Sequence, residues 1–217
     1  MKRKVLWAVS LGVVIALAGV GLAAAQEAAT VELPKPRTDG GRPLMQVLKD
    51  RKSSRAFSTR PLPMETLSDL LWAACGVNRP DGRRTAPTAV NWQEIDVYVA
   101  MADGLYLFDA RAHALRLVKK EDVRALTGMQ SFVREAPVNF IYVADFARMG
   151  RASQADKEFY SATDTGFVSQ NVYLYCASEG LATVVRGMVD REALSRAMGL
   201  RPDQRVVLAQ TVGYPSE

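Results

Sequence analysis

The 217-residue chain carries 28 basic against 23 acidic residues, a formal net charge of +5, with two cysteines and one histidine. That inventory excludes a zinc centre built on clustered cysteine and histidine, and it leaves a Ser-His-Asp mechanism without its parts. Three of the positive charges sit at the extreme N-terminus, so the basic balance is weak support for nucleic-acid binding.

Lys2, Arg3 and Lys4 precede an apolar run from Val5 to Leu22, and Ala23-Ala24-Ala25 then offers a small-residue cleavage pattern before Gln26. This reads as a signal peptide over 1–25, with export to the periplasm or the medium. The alternative is an uncleaved membrane anchor, because the run nearly reaches bilayer-spanning length. After cleavage nothing would hold the chain in a membrane, and 25 basic against 23 acidic residues would leave a charge of +2.

Residues 26–43 are rich in proline, glycine and charge and read as a linker, which leaves 44–217 as one domain able to bury a single core. A first helix is predicted over Pro43–Arg51 and a second over Pro61–Val77, with Leu67, Leu70, Leu71 and Ala74 as its stripe. Arg79–Asn91 reads as a loop. Period-two alternation then predicts strands at Ile95–Val99 and Leu105–Phe108 around a tight turn at Ala102–Gly104, with a third short strand at His113–Val118.

Helix signals return near Glu121–Leu126 and Gln130–Glu135. Val138–Val143 is a continuous apolar run suited to a central strand. An amphipathic helix is predicted over Asp164–Gly180, a short strand over Ala182–Val185, a helix over Arg191–Met198 ended by Gly199, and a last strand over Val206–Val212. Helices and strands interleave without a regular βαβ repeat, which points to an α+β layer fold. Cys75 and Cys176 lie in apolar contexts and read as buried thiols; oxidation after export is the alternative. His113 reads as a strand or turn residue, and Asp164 as a charge at a helix start.

Arg51-Lys-Ser-Ser-Arg55 concentrates guanidinium forks and hydroxyls suited to a phosphate or an electron-rich ring edge, or else is a solvated basic face. Taken in order with Pro87-Thr-Ala89, with Asp164-x-Gly166-x-x-x-Gln170-Asn171, and with Gly180-Leu181, this segment resembles the nitroreductase-like flavoprotein family. Leu105-Tyr-Leu-Phe-Asp109 followed by His113-x-Leu115 resembles its thiazoline and oxazoline dehydrogenase branch. The resemblance spans about residues 44–214.

It implies a central, mostly antiparallel sheet flanked by helices, and a homodimer with FMN in the cleft between subunits. Arg51 and Ser53, with Lys52 beside them, would hold the phosphate end. Arg55 would face the pyrimidine edge, and Pro87, Thr88 and Ala89 would form the second contact loop, with Asn91 beside it. Val185, Arg186 and Gly187 would pack against the ring. The loop lacks the family's usual glycine at Ala89, and the family's basic C-terminal tail has no counterpart before Glu217. Trp92 would line the substrate side of the flavin or serve in packing.

The activity implied is an FMN-dependent oxidoreductase passing a hydride or electron pair to or from a small organic substrate, with no side-chain acid or base assigned as catalytic and no metal. The alternatives are a non-catalytic flavin- or ligand-binding module of the same fold, and an interaction domain with no cofactor. If the organism is a diderm bacterium, its periplasm should hold little NAD(P)H, which leaves a quinone, a protein or the substrate itself as donor.

N-terminal sequencing of the exported protein is expected to begin at or near Gln26. Recovery of Lys2 would instead establish the anchor.

Overall fold

A computed structural model describes residues 29–216; the expected signal peptide lies outside the described residues. Seven strands form one antiparallel sheet: β1 (Thr30–Glu32), β2 (Ile95–Met101), β3 (Gly104–Asp109), β4 (Ala114–Lys119), β5 (Val138–Asp145), β6 (Ala182–Arg186) and β7 (Gln204–Gly213). They lie in the order β1-β4-β3-β2-β5-β7-β6. Four α-helices accompany them: α1 (Leu44–Asp50), α2 (Met64–Cys75), α3 (Gln154–Glu179) and α4 (Arg191–Met198).

Inside the sheet lies β5, which is buried along its whole length and pairs with β2 on one side and β7 on the other. A strand covered on both faces needs apolar residues at successive positions, and Val138–Val143 supplies them apart from Asn139. The pleat divides these residues between two cores. Val97, Val99, Phe140 and Tyr142 join Leu67, Leu71, Val168 and Val172 of α2 and α3 on one face. Tyr98, Ala100, Ile141 and Val143 meet Leu194 and Met198 of α4 on the other.

Three sequence expectations are corrected. The first concerns the linker. Thr30–Glu32 is an edge strand paired with Arg116–Ala114, Leu33 is buried, and Arg37 donates from its backbone N and its Nε to the Asp69 carboxylate, both at 2.8 Å. Proline at 34 and 36 suits the end of an edge strand, and composition carries no information about the distant β4 that accepts it. The second concerns α3, which begins at Gln154 and not at Asp164. Ser153 caps it by accepting from the Asp156 N–H at 3.1 Å, and its first turns are largely solvent-facing, so no apolar stripe announces them.

The third concerns the stretch 121–135, where the helix signals yield only 3-10 turns at Arg124–Leu126 and Ser131–Arg134. Between them lies Gly128, where an added Cβ would fall 1.8 Å from Arg186 Nη1. Only glycine leaves room there for that guanidinium. Cys75 and Cys176 are free and buried, and burial pushes the Cys75 thiol up to about 11.

Truncating Phe140, fully buried in β5, to alanine is expected to cost about 3–5 kcal/mol of stability. The same change at Phe159, 65% exposed, should leave the denaturation midpoint nearly unmoved.

Candidate functional site

The segment 51–55 leaves α1 in extended form. Arg51 N–H donates to Val47 O at 2.8 Å, closing the helix, and Ser54 N–H donates to Thr183 O at 2.9 Å, clamping the segment to the start of β6. Tyr173, projecting from the buried side of α3, gathers the pieces. Its hydroxyl lies 2.8 Å from Ser53 Oγ and accepts from the Val185 N–H at 2.9 Å, while the Arg51 guanidinium stands 5.3 Å from its ring centroid. Arg51, Ser53 and Val185 are thereby brought together. Tyr173 was not singled out in the sequence; the signal that could have found it is a phenol on a buried helix face, whose O–H must have a partner.

Lys52 lines a cavity of about 700 Å³ together with Lys49, Ser54, Thr183 and Ser216. Arg55 is exposed. Among the described residues, Arg51, Lys52 and Arg55 have no carboxylate partner, and the neighbouring Asp50 is claimed by Arg42. A run of cations with no acid to neutralise it, beside hydroxyl donors, fits the phosphate of a nucleotide cofactor.

Arg186 does not join this group by its side chain. It is 5% exposed and donates to Thr127 O at 2.6 Å and Asn139 Oδ1 at 3.1 Å. Burial lowers its pKa to about 10. It fastens the 127–132 turn to the sheet, and only its backbone remains near Val185. Gly187 is exposed, and an added Cβ there would meet only Leu208 at ordinary contact distance.

The loop Pro87–Gln93 is held from the other flank of α3. Asp164 is no helix-start charge: it is buried in the helix interior and accepts the Ala89 N–H at 2.8 Å. Thr88 Oγ1 accepts the Gln93 N–H at 3.0 Å, and the side chain of Gln93 donates to Asn91 Oδ1 at 3.1 Å. Val90, Asn91 and Gln93 all adopt positive φ, at 41°, 59° and 51°. For branched Val90, 80% exposed, that conformation is strained by roughly 1–3 kcal/mol and needs external support. Beside Asp164 lies Glu94, fully buried. Burial, reinforced by the Asp164 charge, pushes its carboxyl up to about 7.

Tyr173 follows Asp164 by nine positions. At 1.5 Å rise and 3.6 residues per turn they lie about 13 Å apart on opposite flanks of the helix. Within the chain, loop 87–93 and segment 51–55 are therefore anchored to different sides of α3.

A sequence model of the nitroreductase family matches residues 48–214. The chain belongs to the nitroreductase family. This is a family of oxidoreductases, and the sheet and helices above are the nitroreductase fold. A nitroreductase-type protein of Methanocaldococcus jannaschii is 34% identical over 155 residues, covering 66% of this chain and 78% of that one. The crystal structure of a nitroreductase-type protein of Ralstonia eutropha JMP134 is 44% identical, with a TM-score of 0.83, over 87% of this chain and 90% of that one. The NADPH:FMN oxidoreductase of Vibrio harveyi, solved with NAD+, shares the fold at a TM-score of 0.61 and 18% identity, over 80% of this chain and 69% of its own.

Replacing Tyr173 by phenylalanine strands the Val185 N–H and unties Ser53. The expected cost is about 1–3 kcal/mol in chemical denaturation.

Proposed function

We propose that this nitroreductase-family protein is an exported, FMN-dependent oxidoreductase that acts as a homodimer on a small organic substrate. The observation that carries the reading is the pair Arg51 and Lys52 beside Ser53 and Tyr173, with exposed Arg55 following in the chain, all three cations without carboxylate partners among the described residues. Arg51 and Ser53, with Lys52 near them, would hold the phosphate. Arg55, always charged, would face the pyrimidine edge and favour the reduced, anionic ring. Bound FMN would supply the transfer of a hydride or electron pair. The backbone of Val185–Gly187 would lie along the ring.

Two features support the homodimer. Pro87, Thr88, Ala89 and Asn91 are fastened to the opposite flank of α3 from Arg51 and Ser53, so a second copy would bring its loop to the first copy's cations. The outer face of α1 and α3 also presents Leu44, Leu48, Phe167 and the 76%-exposed Met45, and a groove of about 380 Å³ beside it is lined by Leu44, Val47 and Leu174. An apolar face of this kind is suited to burial against its own copy.

The β3–β4 hairpin, with His113 at its turn, supports placement in the thiazoline and oxazoline dehydrogenase branch. For an exported enzyme the electron donor would be a quinone, a partner protein or the substrate itself.

The mature protein is expected to be yellow, and after anaerobic photoreduction an added acceptor should restore the oxidised spectrum. Arg51→Ala removes a charge-assisted bond worth about 1.5–3 kcal/mol, so FMN affinity should fall roughly tenfold or more while riboflavin affinity stays level. Arg55→Ala should lower the flavin midpoint potential, with roughly 30 mV for each 1.4 kcal/mol of lost preference for the reduced form. Unchanged affinity in the first variant together with an unchanged potential in the second would remove this site assignment.

A further inference from the structure

Glu94 immediately precedes β2 and is 0% exposed. Among the described residues neither of its carboxylate oxygens has a hydrogen-bond partner of good geometry, and the only N–H near enough to favour the charged form is that of its own backbone. The acid that acts on it from α3 is Asp164. Among the described residues the cation that acts on it is Arg148, whose guanidinium is already engaged by Asp96, Asp145 and Gln93 O. Two ionised carboxylates so placed would carry two uncompensated charges out of water, whereas a single proton between them removes one charge and supplies the missing donor.

The hydrogen-bond directions fix which acid keeps its charge. Asp164 Oδ2 already accepts from the Ala89 N–H at 2.8 Å and is thereby committed as an acceptor. The proton then belongs on Glu94, whose O–H donates to Asp164.

We propose that Glu94 and Asp164 hold one proton between them, and that this shared proton positions the loop Pro87–Gln93 by keeping Asp164 on the Ala89 N–H. Glu94 is thus a positioning residue acting through Asp164. Loss of the proton sets two like charges against each other beneath a loop that carries three non-glycine residues at positive φ, and the strained turn is released. The loop's contribution to FMN binding rests on the function proposed above; the coupling of the proton to the loop does not.

The sign follows from burial. The folded pKa of Glu94 lies near 7, above its ordinary 4.5. Its stabilising contribution is therefore complete below about pH 4.5 and is lost as pH rises through about 7. His113, held below its ordinary 6.5 by burial, is removed from the measurement by assaying in a His113→Asn background, a residue that tolerates its positive φ.

Without FMN, the fluorescence of Trp92, two residues from Glu94, is followed against pH with Trp92→Phe as the blank. The expected result is a transition with its midpoint near pH 7. Glu94→Gln, which keeps a permanent N–H donor, should abolish the transition and hold the low-pH signal throughout. Asp164→Asn, which removes the opposing charge, should move the midpoint downward and covers the case in which Glu94→Gln does not fold. A parent without a transition, or variants that titrate like the parent, would overturn the proposal.

In the FMN-loaded protein, affinity should weaken up to roughly thirtyfold from about pH 6 to about pH 8.5 if only the held loop binds. The extra weakening should vanish in Glu94→Gln, since ligand ionisation contributes equally to both. A fluorescence transition that disappears in Glu94→Gln, with FMN binding absent or insensitive to it, would sustain the shared proton and overturn the loop's role toward the cofactor.

Discussion

Helix α3 runs for 26 residues with about half its circumference against the sheet, and every polar group on that half must find a partner there or leave a desolvated donor or acceptor. The middle of the buried arc is filled by Val168, Val172 and Cys176. Its two borders carry Asp164 and Tyr173, and each satisfies its polar group by reaching for a segment without regular structure: Asp164 for Ala89, Tyr173 for Ser53 and Val185. The helix thus fixes the candidate loops as a consequence of satisfying its own buried groups.

A second buried polar set ties β5, β6 and β7 together on both faces of the sheet. Asn139 accepts from Thr211 Oγ1 and Arg186, and donates to Val133 O. Tyr142 donates to Gln210 Oε1, whose amide in turn donates to Thr183 Oγ1. These bonds join β5, β6 and β7 through side chains as well as through the backbone ladder. In a low-dielectric interior such connected groups specify one arrangement, because any slip in register leaves several of them unpaired. They also hold β6 in place, and β6 carries the Val185 and Gly187 backbone to the candidate site.

Charge is distributed in the opposite manner. Acids in the interior are provided with partners, as Asp69 is by Arg37 and Asp96 by Arg148, or must share a proton, as with Glu94 and Asp164. The cations at 51–55 are left without such partners among the described residues. Surface pairs contribute little to stability, so this arrangement is read through the ligand chemistry it permits and not through folding energy.

The α+β class, the central strand at Val138–Val143, the helix at Arg191–Met198 with its Gly199 stop, and the buried state of both cysteines were all legible in the sequence. Each is set by local periodicity, a cap or a residue's solubility, and neighbours a few positions away are enough to decide it. The concentration of charge at 51–55 was legible for the same reason. The edge strand at Thr30–Glu32 was not, since a strand at a sheet margin is made by its partner β4 and not by its own composition. The first ten residues of α3 were not, because mostly solvent-facing turns leave little apolar pattern. Nor were the roles of Tyr173, Arg186, Glu94 and Asp164, which depend on what lies across a buried contact. Those were decided only by the tertiary structure, where burial removes water as a partner and leaves each polar group to the particular neighbours the fold brings within reach.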